Sequence, residues 1–185
     1  MHRTEASSPP PTRLTLVSWW GLCGVVALLG SAIARLSPIA FDAFDDGALA
    51  LHHYVFLAGW LAFMGYTEGY RGFQLGYSPR VVKRALELAD ERRPWLVAFA
   101  PVVVLGYVYG TRKRLIVSWT ITCAVVGLVV VVRQLAQPWR GLVDLGVVLG
   151  LGWGLVFVGW NVAKVLRGDP LAEVDAGMPA GHRAR

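Results

Sequence analysis

The sequence predicts an all-α membrane protein: a polytopic bundle of four transmembrane helices, with five as the alternative, and one amphipathic cytoplasmic helix. Three observations support this fold class. The 185 residues are 55% hydrophobic and only 16% charged, the mean hydropathy is +0.50, and several uncharged runs are as long as a bilayer is thick. A soluble domain of this length needs more charge to cover its surface.

The first span is residues 14–34, after a polar tail at residues 1–13 whose proline run predicts disorder. As a helix the run measures about 31 Å, which is enough to cross the hydrocarbon core. Its end, Ala32-Ile33-Ala34, resembles a signal cleavage site, so removal of this segment is the alternative. The run is long for a signal peptide and further spans follow, which favours a retained helix.

The second span is residues 47–66, after an acidic loop at residues 35–46. Beyond it, residues 78–92 place charged side chains on one side of a helix and aliphatic ones on the other. Ser78 suits the N-cap and Pro79 the first helical position. We expect this amphipathic helix either to lie at the membrane surface or to pack against the rest of the protein.

The last two spans are residues 115–132 and 141–165, followed by a loose tail at residues 168–185. Residues 94–110 form either a re-entrant segment or a fifth span. With four spans, fifteen of the 18 Lys and Arg residues lie on the cytoplasmic side, whereas with five spans only ten do. The positive-inside rule therefore favours four spans, with both termini cytoplasmic and the membrane domain at residues 14–167 of an inner (cell) membrane.

One candidate binding surface lies at the expected inner end of span two. Glu68 and Arg71, together with Arg80, Lys83 and Arg84 of the amphipathic helix, would contact lipid headgroups or a protein partner. The alternative is an aromatic belt with a local ion pair between Glu68 and Arg71, which would anchor the end of the helix.

Polar residues inside the spans are candidates for a transport pathway, because lipid penalises them. His52 and His53 lie near the outer end of span two, and adjacent helical residues point about 100° apart, so both should not face one site. Asp144 can pair with Arg140 one turn earlier, and Asn161 suits a hydrogen bond between helices. His52, Asp144 and Asn161 are the predicted pathway residues.

Three glycines of the last span, Gly146, Gly150 and Gly154, recur every four residues. They predict a close approach by another helix, belonging either to the same chain or to a second copy.

Catalytic and metal-binding motifs are absent from the sequence, and Cys23 and Cys123 stand alone in apolar runs. We therefore predict no catalytic residue, cofactor, metal site or nucleic-acid partner, and we attribute the net charge of +6 to positive-inside bias. The predicted function is a non-catalytic accessory, assembly or scaffolding protein. Its basic cytoplasmic face would contact membrane lipids or a membrane-protein partner, with homo-oligomerisation as a further expectation; the alternative is a small transporter or channel.

Overall fold

The computed structural model describes residues 13–45, 49–89 and 91–178, without the side chain of Arg114. Most of the predicted N-terminal tail and the last seven residues lie outside these ranges. Within them all regular structure is helical, and the elements are α1 (Leu16–Asp45), α2 (Leu51–Met64), a π-helical segment (Gly65–Tyr77), α3 (Ser78–Glu87), α4 (Pro94–Ala98), α5 (Ala100–Leu105), α6 (Arg112–Val132) and α7 (Trp139–Arg167).

Three of these helices are long and apolar enough to cross a membrane: Leu16–Asp45, Leu115–Val132 and Trp139–Arg167. At about 1.5 Å per residue they measure about 45, 27 and 44 Å, against about 30 Å of hydrocarbon. The described part of the chain is thus an all-helical protein with three candidate membrane-spanning helices.

Helix α1 is longer than the span predicted from the sequence. Residues 35–45, expected as a loop, continue the helix to Asp45 despite Pro38. The extension is held against α7, because Ala43 lies 2.6 Å from where a Cβ on Gly141 would stand and Gln137 donates a hydrogen bond to the Ile39 carbonyl. The absence of a side chain at Gly141 lets this end of α1 approach closely.

The second span and the amphipathic helix, predicted as separate elements, form one continuous helix. Met64, Tyr77 and Ser78 all keep right-handed helical backbone angles, so α2, the π-helical segment and α3 join without a break. We call residues 51–87 the composite helix. It runs along α7, since Trp60 donates a hydrogen bond to the Val143 carbonyl and Ser78 donates one to the Gly154 carbonyl.

Helix α3 ends at Glu87, before the expected residue 92, and its apolar side is buried. Val81, Val82 and Ala85 are at most 1% exposed within a core shared with α1, α5 and α7. Ser18 of α1 donates a 2.7 Å hydrogen bond to the Ala85 carbonyl. Of the two sequence-based alternatives, packing against the rest of the protein describes this helix.

Residues 94–110 do not form one long helix. Helices α4 and α5 contain five and six residues and are separated at Phe99, and the chain then turns at Gly106, whose φ is +89°. A side chain at Gly106 would also collide with the Arg84 guanidinium. Helix α5 packs against α1, where Gly21 lies against Val104.

Contacts at the ends of the long helices show the direction in which each of them runs. Helix α1 is antiparallel to α7 and the composite helix, because its start lies at Ala85 and its end at Gly141. Helix α6 starts beside Gly177, which accepts a hydrogen bond from the Thr111 backbone, and the loop after it reaches Ile39. Four long helical elements therefore connect the same two ends of the molecule.

Candidate functional site

The glycine face of α7 is packed inside the chain. A side chain at Gly146 would collide with Trp60, and one at Gly154 would collide with Phe73. A Cβ at Gly150 would lie 3.2 Å from the Glu68 Cβ. All three neighbours belong to the composite helix, so these three glycines pack as the same-chain alternative expected.

Glu68 and Arg71, which the sequence placed just beyond the end of span two, lie within the composite helix. Gly69 lies against the Trp153 ring, and Gln74 accepts a 3.2 Å hydrogen bond from the Trp153 indole. Trp153 is the midpoint of α7, so Glu68 and Arg71 lie about halfway along the bundle. Both are exposed, and in the described residues no ion pair or hydrogen bond joins them. The position differs from the expectation because the helix does not end at Tyr66 but continues through Tyr77.

Two predicted binding residues of α3 hold the C-terminal tail instead. The Lys83 ammonium donates a 2.6 Å hydrogen bond to the Val174 carbonyl, and Arg84 Nε donates a 2.7 Å bond to the Ala176 carbonyl. Arg84 and Ala176 are only 6% and 3% exposed. Residues 169–178 are therefore docked rather than loose, because the two cations bind the backbone carbonyls of Val174 and Ala176 in the tail.

Arg80, the remaining cation of that predicted surface, is half-buried beside the glycine one turn earlier. Its guanidinium lies 2.8 Å from where a Cβ on Gly76 would stand. Arg80 therefore lies between the exposed Arg71 and the buried Arg84 along the composite helix, and its side chain follows the helix surface.

An aromatic and histidine cluster lies at the opposite end of the bundle. The rings of His52 and His53 have centroids 3.9 Å apart, and the His53 ring meets Trp139 edge-on at 4.9 Å. The backbone N–H of Ala50 donates to His53 Nδ1 at 3.0 Å, so this nitrogen carries no proton and the ring caps the start of α2. The expectation that the two histidines face apart was wrong, because side-chain rotation brings both rings together.

The other predicted pathway residues lie at different levels of α7. The Arg140 guanidinium and the Asp144 carboxylate form an ion pair at 3.8 Å, and Asp144 is buried. Asn161 donates a 2.8 Å hydrogen bond to the Phe157 carbonyl of its own helix, rather than to another helix as expected. Thus His52 and Asp144 lie near one end and Asn161 lies about 26 Å beyond Asp144.

A salt bridge that the sequence did not predict lies within the loop after α3, at the basic end, and its arginine also contacts the segment after α5. Nε and Nη2 of Arg93 donate to the Glu91 carboxylate, at 2.9 and 2.8 Å, and Nη2 also donates to the Tyr109 hydroxyl at 2.8 Å. These hydrogen bonds, first that to Glu91, raise the pKa of the Arg93 guanidinium. The cation therefore stays charged at every physiological pH.

Five of the eight exposed Lys and Arg side chains in the described ranges gather at this same end. Thr15 donates a hydrogen bond to the Ala89 carbonyl, which brings the start of α1 beside the loop after α3. The start of α6 joins them through Gly177. We define the basic end by the exposed residues that this arrangement brings together: Arg13, Arg92, Arg112, Lys113 and Arg167. At the far end of α1, Asp42 and Asp45 are exposed.

Within the ranges that the structure describes, no group of three or more His, Cys, Asp or Glu side chains is placed to hold a metal ion. Comparison with known proteins gave no match to any protein family, curated protein or solved structure.

Proposed function

We propose that this protein is a non-catalytic accessory, assembly or scaffolding component of an inner membrane, held in place by anionic lipid headgroups or a partner at its basic end. The observation that carries the proposal is that five of the eight exposed cations of the described residues lie at one end of a bundle whose interior is closely packed around glycines. Cations beside an anionic membrane surface are attracted by about 1 kcal/mol each.

The topology that fits this proposal has four crossings and cytoplasmic termini. The fourth crossing is the composite helix, which joins the two ends of the bundle antiparallel to α1. Helices α4 and α5 together cover about 18 Å, too little for a crossing, and they lie against α1 as a partial insertion from the basic end. The basic end then faces the cytoplasm, in agreement with the positive-inside rule.

The transport alternative has less support. A pathway needs polar residues from several helices around one cavity. Here Asn161 bonds its own helix, Asp144 pairs with Arg140, and Glu68 lies on the outside of the bundle. The geometry therefore favours a binding role over a conducting one.

The test of the proposal is lipid binding by the full-length chain. The protein is purified in mild detergent, and its retention of phosphatidylglycerol and phosphatidylcholine is compared by native mass spectrometry. Replacing Arg112 and Lys113 by Gln removes about 2 kcal/mol of attraction, so phosphatidylglycerol retention should fall by up to roughly thirtyfold at low salt. Phosphatidylcholine retention should not change.

The matched control removes two cations elsewhere, by Arg35→Gln and Arg133→Gln. It should keep the wild-type preference for anionic lipid. Equal losses of phosphatidylglycerol retention in the two double variants would contradict the proposal that the basic end is the site that binds anionic lipid. Unchanged lipid retention, with loss of a co-purifying membrane protein only in the Arg112/Lys113 variant, would favour the partner over the lipid.

A further inference from the structure

The composite helix has a charged face that no other helix covers. Glu68, Arg71, Gly72 and Leu75 are all exposed, and Leu75 is 53% exposed. A Cβ built on Gly72 would meet only atoms of Thr67 and Glu68, its own helical segment. Although the Cβ of Glu68 packs against Gly150, the exposed Glu68 and Arg71 side chains and Gly72 leave this face open to a partner.

This face lies at the depth of the uncharged part of α7. That part runs from residue 145 to residue 163, between Asp144 and Lys164. Glu68 lies beside Gly150, about 9 Å beyond Asp144. The segment that carries Arg71 lies beside Trp153, about 14 Å beyond Asp144 and about 17 Å before Lys164. In a bilayer, both charges are thus inside the hydrocarbon.

Lipid chains are a poor environment for this face, because ionisable groups in hydrocarbon need a partner of opposite charge or water. Glu68 and Arg71 do not pair with each other, and headgroups lie too far away. The surroundings are apolar or aromatic, since Leu75 and the Tyr66–Tyr70 ring stack flank the charges. A protein surface that carries both signs of charge at the same depth would satisfy them.

We propose that this surface is a second copy of the same chain. In two parallel copies related by a two-fold axis along the membrane normal, Glu68 of each lies about 5 Å in depth from Arg71 of the other, because the residues are three apart on one helix, and the two long side chains can span that separation. The face is therefore self-complementary in charge, with two reciprocal Glu68–Arg71 pairs across the axis. Gly72, which has no side chain, lets the two composite helices approach closely.

Charge exchange tests this pairing in the full-length protein. Glu68→Arg and Arg71→Glu each place like charges opposite one another, whereas the double variant restores opposite charges in reversed order. Dimerisation is measured by energy transfer between labelled copies in liposomes, over a range of protein-to-lipid ratios. Each single variant should weaken dimerisation at least tenfold, and the double variant should recover it to within about threefold of wild type.

Two further variants keep the test decisive. Asp42→Arg changes an exposed charge at the far end and should dimerise like wild type. Gly72→Leu adds bulk without changing charge and should also weaken dimerisation, which covers the case in which a swapped charge prevents folding. Helicity and melting temperature are recorded for every variant.

A monomeric wild type at all lipid ratios would overturn the proposal, as would folded single variants that dimerise normally. A folded double variant that stays monomeric would overturn it too. The dimer proposal is independent of the proposal that the basic end binds lipid. The Arg112/Lys113 variant should dimerise normally, whatever its lipid retention. Failure of either claim is therefore recognisable separately.

Discussion

Gly154→Ala adds one methyl group to the glycine face of α7 and should lower the stability of the protein sharply. Gly152→Ala, two residues away on another face of the same helix, should not. A Cβ at Gly154 would overlap the Phe73 ring, with 2.7 Å to Cγ and 2.8 Å to Cε1. Ordinary carbon contacts are about 3.5–4.0 Å, so the ring has to move by about 1 Å. It cannot simply turn away, because it packs edge-on against Tyr77 at 5.3 Å.

Overpacking of this kind costs about 1–3 kcal/mol. For a chain of this size the melting temperature of Gly154→Ala should fall by about 2–12 °C. Gly152 is the matched control, because nothing lies within 4 Å of its Cβ position. Gly152→Ala should leave the melting temperature unchanged or raise it slightly, since Ala is the better helix former.

The assay is thermal unfolding of the full-length protein in detergent, followed by tryptophan fluorescence. Equal melting temperatures for the two variants would refute the packing of α7 against the composite helix. A larger loss for Gly152→Ala would do so as well, because it would require the opposite face of α7 to be the packed one.

Other predictions test contacts elsewhere in the chain. Ser18→Ala removes a buried hydrogen bond to α3 and should lower the free energy of unfolding by about 1 kcal/mol in chemical denaturation. Ser31→Ala removes only an exposed hydrogen bond within α1 and should lower it less. Arg84→Ala should expose residues 169–178 to limited proteolysis, detected by mass spectrometry; Arg92→Ala should not, and equal cleavage would contradict the docked tail. Because the pKa of Arg93 is raised, its stabilisation is fully present below the ordinary arginine pKa and is lost only as pH rises through the folded value. Arg93→Gln should therefore lower the melting temperature equally at pH 6 and pH 9, and a loss confined to one pH would count against the salt bridge.

Apolar run length predicted the helical class and three of the long helices, because a bilayer fixes the length of a span. It could not predict where helices end. The segment Gly65–Tyr77 contains four glycines and looked like the end of a span, yet it stays helical because Gly69 fits against Trp153. Residues 35–45 looked like a loop, but Gly141 gives them a surface to pack on.

The sequence identified the charged residues but not their neighbours. Lys83 and Arg84 bind carbonyls 91 and 92 residues further along the chain, and no local pattern reports contacts at that separation. The depth of Glu68 and Arg71 likewise follows from the register between the composite helix and α7, which only the packed structure supplies. The glycine repeat, in contrast, was visible because its spacing is local.

The most direct test of the central claim, a four-crossing bundle with its basic end in the cytoplasm, is the sidedness of two single cysteines. Cys23 and Cys123 are replaced by Ala, and Lys113→Cys and Gln134→Cys are introduced separately at the two ends of α6. A membrane-impermeant thiol reagent should label Cys at 134 in intact cells and Cys at 113 only in inverted vesicles. Labelling of both positions from the same side would contradict the account.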